Sequence, residues 1–144
     1  MEHKAVLLIE DNLDDAALAL RAFKQNNMAD QIVLVNDGLD GLDYLHGTGN
    51  FAGRDTNLMP SLIIVDLMLP KLDGFGFLAS VRADNRTRHL PVVVLTSSNE
   101  NTDIEKAYNL GANSYIRKPT DLSKFVEAIR LLVQYWITLN QPSQ

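Results

Sequence analysis

Cysteine is absent from the 144 residues of this sequence. Its absence excludes disulfides, thiolate zinc sites, iron–sulfur clusters and thiol nucleophiles, and it gives no indication of an oxidising compartment. A chain of this length buries about 68 to 70% of the surface that it exposes when unfolded, so its core needs no cross-links. We therefore expect one domain over residues 1–144, located in the cytoplasm.

Long hydrophobic runs and an excess of basic charge are also lacking. The apolar run Ala5 to Ile9 is far shorter than the roughly 18 residues that span a bilayer, and residues 1–4 do not lead into a signal-peptide core. Thirteen Lys and Arg against eighteen Asp and Glu give a net charge of −5, which repels nucleic-acid phosphates and anionic lipids. We expect no membrane and no nucleic-acid partner.

No segment ends in the Gly-Lys-Ser/Thr pattern of a phosphate-binding loop. The glycine-rich stretch Gly47 to Pro60 follows a predicted helix rather than a strand. Because connecting segments usually run over the surface, this stretch is predicted to be a surface loop.

Short apolar runs rich in Val, Ile and Leu, without alternation, are typical of strands buried on both faces of a parallel sheet. The sequence has four such runs and a weaker fifth: Ala5 to Ile9, Ile32 to Val35, Leu62 to Val65, Val92 to Leu95, and Ser114 to Arg117. Helical spacing of apolar residues separates them. The alternation predicts an α/β fold with five helices and a five-stranded parallel, doubly wound sheet of the flavodoxin-like order 2-1-3-4-5.

The last predicted helix is longer than the fold requires. Its apolar pattern begins at Leu122 and continues past Leu132, so we divide the chain into a core over residues 5–132 and a helical extension with a tail over residues 133–144. Surplus apolar positions need a second cover, which predicts a homodimer through Tyr135, Trp136 and the neighbouring strand. The alternative is that Trp136 packs against its own domain.

Polar side chains follow the predicted strands at their carboxyl ends. Glu10 and Asp11 follow the first strand, Asp66 the third, Thr96 the fourth and Lys118 the fifth. In a doubly wound sheet these ends converge at the ligand-binding edge. Carboxylates so close together repel one another, and a divalent cation with oxygen ligands relieves this repulsion. The pattern favours a Mg2+ site.

With these residues in this order, the sequence resembles the receiver domain of two-component response regulators over Ala5 to about Leu132. The matching segments are Ile9-Glu10-Asp11-Asn12, Val65-Asp66-Leu67-Met68-Leu69-Pro70 with Asp73-Gly74, Leu95-Thr96-Ser97, Gly111-Ala112-Asn113-Ser114-Tyr115, and Lys118-Pro119.

The resemblance implies that Asp66 is the phosphoacceptor. Asp11, Asp66 and the backbone carbonyl of Met68 would then bind Mg2+, and Glu10 would help through water. Transfer from phosphohistidine requires that negative charge on the moving phosphoryl group be neutralised, a role for the metal and a lysine.

The same resemblance assigns three further positions. Thr96 and Lys118 would hold phosphoryl oxygens, and Tyr115 would be the aromatic switch residue that moves with Thr96. The Lys118-Pro119 peptide bond would be cis, as proline permits at little cost.

Three features look like the response regulators that work with phytochrome-type sensor kinases: the Gly47 to Pro60 stretch, the segment Ala112 to Tyr115, and the pair Tyr135-Trp136. This likeness implies a light-responsive histidine kinase as phosphoryl donor and another protein as the downstream target. Composition and spacing do not show control by light.

Three other interpretations remain open. The chain could serve a different sensor kinase, or be a dimeric scaffold that is not phosphorylated. A phosphatase of the haloacid dehalogenase class also uses an aspartate nucleophile, but such enzymes carry an Asp-x-Asp pattern and here Met68 stands two residues after Asp66. The missing acid argues against the phosphatase.

Other polar residues are expected to be structural. The scattered His3, His46 and His89 are predicted to have no metal or catalytic role. Asp37, Asp40 and Asp43 recur at a spacing of three and are predicted to form a solvated helix face near a helix start.

Overall fold

The five predicted strands form one parallel sheet in a computed structural model that describes residues 5–142. The order is β2-β1-β3-β4-β5, which confirms the predicted topology. Only the first and fourth strands differ from the predicted bounds, by one residue each. The strands are β1 Val6–Ile9, β2 Ile32–Val35, β3 Leu62–Val65, β4 Val92–Thr96 and β5 Ser114–Arg117.

Five α-helices connect and cover the strands, as predicted. They are α1 Leu13–Gln25, α2 Gly38–His46, α3 Gly74–Ala83, α4 Asn101–Asn109 and α5 Leu122–Val133. A π-helical segment, Gln134–Leu139, continues α5. Within residues 5–142, none of the helices has the length and apolar character needed to cross a bilayer.

The sheet has a hydrophobic core on each face. Helices α2, α3 and α4 cover one face, where Leu45, Phe77 and Ala107 are fully buried. Helices α1 and α5 cover the other face through side chains such as Phe23 and Ile129. Burial on both faces explains why β1, β3 and β4 read as uninterrupted apolar runs.

Polar side chains fix where four helices begin. Asn12, Asp37, Asp73 and Asp121 each accept a hydrogen bond from a backbone N–H in the first turn of the helix that follows. Such a cap contributes about 1 kcal/mol. Because α1 and α3 follow β1 and β3 closely, their caps also fix the loops at the carboxyl edge of the sheet.

The prediction of a solvated aspartate face on α2 is wrong for Asp37. This side chain is buried, accepts from the backbone N–H of Asp40 at 2.8 Å, and lies 3.5 Å from Lys71 Nζ. Asp40 and Asp43 are half-buried. Helical spacing identifies a common face, but it does not show that a loop from elsewhere in the chain covers part of it.

The Gly47 to Pro60 stretch lies mostly on the surface, as predicted, and Arg54 ties it to α2. Its guanidinium donates to the carbonyl oxygens of Tyr44 at 2.6 Å and Leu58 at 2.7 Å, and it lies 4.1 Å from the Tyr44 ring centroid. The guanidinium therefore joins a carbonyl near the end of α2 to a carbonyl within the loop, and it stacks on an aromatic ring.

Only part of the extension after α5 is exposed and available for contact with another protein. Trp136 is half-buried against the core under α1 and α5, and Ile137 is buried. Tyr135 remains 50% exposed, with its ring edge-on to Trp136 at 4.9 Å between centroids. The arrangement favours the alternative for Trp136, and it leaves Tyr135 available.

The close approach of α3 to the loop after β3 can be tested at two glycines of this helix. A Cβ at Gly74 would lie 2.3 Å from the backbone oxygen of Asp66, whereas one at Gly76 would lie close only to side chains, 2.6 Å from the flexible end of Leu72 and 3.5 Å from Asp73 Oδ1. We expect Gly74→Ala to lower the free energy of unfolding by about 1 to 3 kcal/mol, since backbone must shift. Gly76→Ala is the matched control and should be neutral or slightly stabilising. Urea denaturation of both variants measures this, and equal stabilities would contradict it.

Candidate functional site

The ammonium group of Lys118 lies at the centre of a cluster of carboxylates. Lys118 Nζ is 2.5 Å from Glu10 Oε1, 2.6 Å from Asp66 Oδ2 and 2.8 Å from Asp15 Oδ2. An ammonium group has three N–H donors, so one is available for each carboxylate. The structure thus brings together Glu10, Asp66 and Lys118, which the sequence analysis selected, and adds Asp15.

Strand register places these residues side by side. Ile9 pairs with Val65, so Glu10 and Asp66 leave the sheet at the same level. Thr96 pairs with Arg117, and the backbone N–H of Lys118 donates to the carbonyl oxygen of Thr96 at 2.7 Å. Parallel strands end at a common edge, which is why side chains distant in sequence meet there.

The two carboxylate oxygens of Asp66 have different hydrogen-bond partners. Oδ2 is 2.6 Å from the lysine ammonium, while Oδ1 accepts a hydrogen bond from the backbone N–H of Met68 at 3.2 Å. The residue is 6% exposed, so its carboxylate is largely shielded from water. A buried, oriented carboxylate beside a fixed positive charge can act as a nucleophile toward an anionic group.

The electrostatics of the site reflect burial and close like charges. Burial raises the pKa of Glu10 to about 7, with a further contribution from Asp66, although the hydrogen bond with Lys118 opposes the shift. Burial lowers the pKa of Lys118, but its hydrogen bonds with Asp15, Asp66 and Glu10 outweigh burial and raise the pKa above its usual value. The site therefore holds a firmly protonated lysine among carboxylates that repel one another.

The oxygen-rich donor set fits a hard divalent cation. Glu10 and Asp66 are buried at the edge, and Asp11 follows Glu10 in the chain with an exposed side chain that lies outside the ion cluster of Lys118. Over residues 5–142, however, no three His, Cys, Asp or Glu side chains are arranged as a ready metal site. Lys118 supplies the positive charge in this arrangement, so a cation would share the carboxylates with it.

Thr96 is buried, and its hydroxyl has no hydrogen-bond partner among the described residues. Buried polar groups are nearly always satisfied, so this hydroxyl is suited to a ligand that brings an oxygen. Tyr115 does not contact it through a hydrogen bond. Its hydroxyl donates to the carbonyl oxygen of Ser98 at 2.9 Å, and burial raises the pKa of Tyr115.

A cleft of about 510 Å3 opens beside these groups. It lies between the loops that follow β3 and β4 and is lined by Met68, Ser97, Ser98, Asn99, Glu100 and Asp103. Ser98 Oγ donates to Asp103 Oδ2 at 2.7 Å, which links the loop to the first turn of α4. Its lining begins directly after Thr96 and two residues after Asp66, so the cleft adjoins the edge that carries these groups.

The expectation of a cis bond between Lys118 and Pro119 is wrong, since no peptide bond within residues 5–142 is cis. The bond is trans, and the Lys118 ammonium nevertheless reaches Asp66. The histidines lie apart from this cluster: His46 is 3.8 Å from Asp84, His89 is exposed, and His3 lies outside the described residues.

Asp15 was not singled out from the sequence. It stands in the first turn of α1, where acidic residues commonly complement the helix dipole, so its residue type gave no special signal. An acidic residue five positions after Glu10 could have been recognised only by asking which side of α1 faces the lysine.

Lys118 is expected to stabilise the fold by compensating buried charge. Lys118→Ala leaves Glu10 and Asp66 without their partner and should lower the free energy of unfolding by about 3 to 5 kcal/mol. Lys71→Ala removes an exposed lysine that lies 3.5 Å from Asp37, and should cost less than about 1 kcal/mol. Chemical denaturation without divalent cations compares the two, and a loss below 1 kcal/mol in Lys118→Ala would disprove the compensation.

A comparison with protein families identifies this arrangement. The sequence model of the response regulator receiver domain matches residues 6–130. Among curated relatives, the probable methanogenesis regulatory protein FilR2 of Methanothrix harundinacea is 36% identical over 138 residues, with 94% of this chain and 85% of FilR2 covered. Response regulator Rcp1 of Synechocystis is 30% identical over 134 residues, with 93% and 89% covered.

Solved structures agree over almost the whole chain. The phosphorylated cyanobacterial phytochrome response regulator RcpA matches with a TM-score of 0.89 at 33% identity, with 99% of each chain covered. The Mn2+-bound form of Rcp1 matches with a TM-score of 0.87 at 28% identity, with 98% of this chain and 99% of Rcp1 covered. The chain thus closely resembles phytochrome response regulators, and it belongs to the response regulator receiver domain family of two-component signalling.

Proposed function

We propose that Asp66 accepts a phosphoryl group from a phosphohistidine of a sensor histidine kinase. The observation that carries this proposal is the Lys118 ammonium 2.6 Å from a buried Asp66 carboxylate. In the reaction a carboxylate oxygen of Asp66 bonds to phosphorus while the bond between phosphorus and the histidine nitrogen breaks. The imidazole of the donor leaves with the electron pair of that bond.

This chain's own groups would position the transferring group and neutralise its charge. Lys118 would donate to one phosphoryl oxygen, and the unpaired hydroxyl of Thr96 to another. Positioning and electrostatic stabilisation account for most of the catalysis of phosphoryl transfer. The receiver in this way catalyses its own phosphorylation while the kinase supplies the donor.

A divalent cation completes the proposed site, and we propose Mg2+. Asp11, Asp66 and the backbone carbonyl of Met68 would hold it, with Glu10 contributing through water. When bound, it would supply additional positive charge to the phosphoryl oxygens. The support is the oxygen donor chemistry of these residues and the Mn2+-bound form of Rcp1.

Thr96 and Tyr115 would transmit phosphorylation to the surface. Once Thr96 turns toward a phosphoryl oxygen, the loop after β4 can follow it. The Tyr115 hydroxyl already holds the carbonyl of Ser98 in this loop, so the loop and the ring would move together. A change at the surface around α4 and β5 would then be read by a downstream protein.

A phytochrome-type kinase is the donor that the comparisons favour. RcpA is a phytochrome response regulator, and the likeness to it extends over 99% of both chains. The alternative is a different sensor kinase, because the name of the relative FilR2 refers to methanogenesis. The location in the cytoplasm stays a prediction, as does the single domain over residues 1–144, of which residues 1–4 and 143–144 lie outside the described part.

Phosphorylation can be tested with acetyl phosphate and Mg2+, followed by intact mass measurement. Wild type should gain one phosphate, and Asp66→Asn should gain none because its amide is not a nucleophile. Asp30→Asn, at an exposed aspartate away from the site, is the matched control and should react like wild type. Chelation of Mg2+ should abolish the adduct.

The other outcomes of the same experiment identify the alternatives. Continuous release of phosphate from phosphate esters would support the phosphatase. A wild-type protein that neither gains phosphate nor releases it would support the scaffold. An adduct that persists in Asp66→Asn would contradict the assignment of the phosphoacceptor.

We also propose that the extension after α5 forms a homodimer. Leu131, Tyr135 and Leu139 are exposed at a spacing of four, at 52%, 50% and 59%. Trp136, chosen from the sequence for the same interface, is half-buried against its own core and would contribute only its exposed part. An apolar stripe of this kind is suited to the same stripe on a second copy.

Sedimentation at matched concentrations tests the dimer. We expect wild type to dimerise and Tyr135→Glu to remain monomeric, because a charge would be buried in the interface. Thr138→Glu, at an exposed polar position of the same segment, is the control and should dimerise like wild type. Trp136→Glu should weaken the dimer and also lower thermal stability. A monomeric wild type with and without phosphorylation would disprove the proposal.

A further inference from the structure

All three N–H donors of Lys118 are engaged before any phosphoryl group arrives. Glu10, Asp66 and Asp15 each place an oxygen within 2.8 Å of the nitrogen. A phosphoryl oxygen can therefore bind the ammonium only if one carboxylate gives up its place. The carboxylate that leaves is the one whose separation from the ammonium costs the least free energy.

The three carboxylates differ in burial. The side chains of Glu10 and Asp66 are 5% and 8% exposed, whereas that of Asp15 is 31% exposed. A buried carboxylate that loses its cation remains away from water, at a large free-energy cost. Asp15 can turn into solvent, which recovers its hydration, so its release costs least.

The backbone of Asp15 is held in place by the start of α1. Its N–H donates to the side chain of Asn12 at 3.0 Å, which caps the helix. The carboxylate is therefore presented to Lys118 from a fixed turn, and it does not belong to the groups that receive the phosphoryl group or the cation. Neighbouring Asp14 lies in the same turn but is exposed, and its side chain makes no hydrogen bond or ion pair among the described residues.

We propose that Asp15 is the counter-ion of Lys118 in the unphosphorylated protein and that the phosphoryl group displaces it. This rests on the proposed function of Asp66. The phosphoryl oxygen takes the N–H that Asp15 leaves, and the Asp15 carboxylate turns to water. Asp15 thus competes with the phosphoryl group for the same donor and adds a negative charge beside it. It is a positioning residue that weakens the phosphorylated state.

Beryllofluoride, a non-covalent mimic of the phosphoryl group, tests this competition in the full-length chain at a fixed Mg2+ concentration. Asp15→Asn should bind beryllofluoride about threefold to tenfold more tightly than wild type, a change of the size expected for a partly exposed ion pair. Asp15→Ala, which also lacks the hydrogen-bond acceptor, should bind at least as tightly as Asp15→Asn. Titration calorimetry measures the three affinities.

Asp14→Asn is the matched control, since it removes the same charge from the same helical turn. Its affinity should stay within about twofold of wild type, because exposed charges are screened by water and salt. If Asp14→Asn and Asp15→Asn bound beryllofluoride with equally increased affinity, the net charge alone would explain the effect, and the proposal would be overturned. Unchanged or weaker binding in Asp15→Asn would also overturn it, and weaker binding would show that Asp15 aligns the lysine for transfer.

Two further outcomes separate this inference from its foundation. A wild-type protein that binds no beryllofluoride with Mg2+ would contradict the proposed phosphoacceptor function, and the inference would fall with it. Thermal melting of each variant reports on structure alone. If Asp15 had a purely structural role, its replacement would lower the melting temperature without tightening the binding of beryllofluoride. Tighter binding in a variant that melts at a lower temperature therefore supports the competition.

Discussion

The buried ion cluster around Lys118 is the interaction on which the rest of this structure depends. Two buried carboxylates, those of Glu10 and Asp66, lie side by side because parallel strands end at one edge. Their repulsion and loss of hydration would oppose folding if no cation were present. Lys118 supplies that cation from the strand end on the far side of β4. The two buried carboxylates thus destabilise the sheet edge, and the lysine that compensates them is a positive charge to which an anionic group can bind.

The scaffold around this cluster is built to keep the edge open and fixed. Capping side chains fix the starts of α1 and α3, so the loops that carry Asp11 and Met68 are anchored where they enter these helices. Gly74 lets α3 pass against the backbone of Asp66. Thr96, whose hydroxyl has no partner among the described residues, ends β4, and the Tyr115 hydroxyl on β5 donates to the Ser98 carbonyl in the loop after β4. Asp66 is thus surrounded by the capped starts of α1 and α3 and by the end of β4.

Membership of the family and assignment of the signalling pathway are supported by different observations. Membership of the receiver domain family follows from the match over residues 6–130, and the likeness to RcpA covers 99% of both chains. The identity of the sensor kinase does not follow from this match, since FilR2, a relative with 36% identity, carries the name of another process. A shared fold does not by itself carry over a relative's process or partner, so family membership and pathway are separate conclusions.

The sequence by itself determined the five strands and the residues at their carboxyl ends, because burial on both faces demands unbroken apolar runs and the polar residues that end them stand out. Tertiary structure alone decided the contacts of Asp15 and Asp37 and the packing of Trp136. Lys118 lies 103 residues from Asp15 and 52 from Asp66 in the chain. Helical spacing reveals which residues share a face, but what covers that face is set by elements folded from distant parts of the chain.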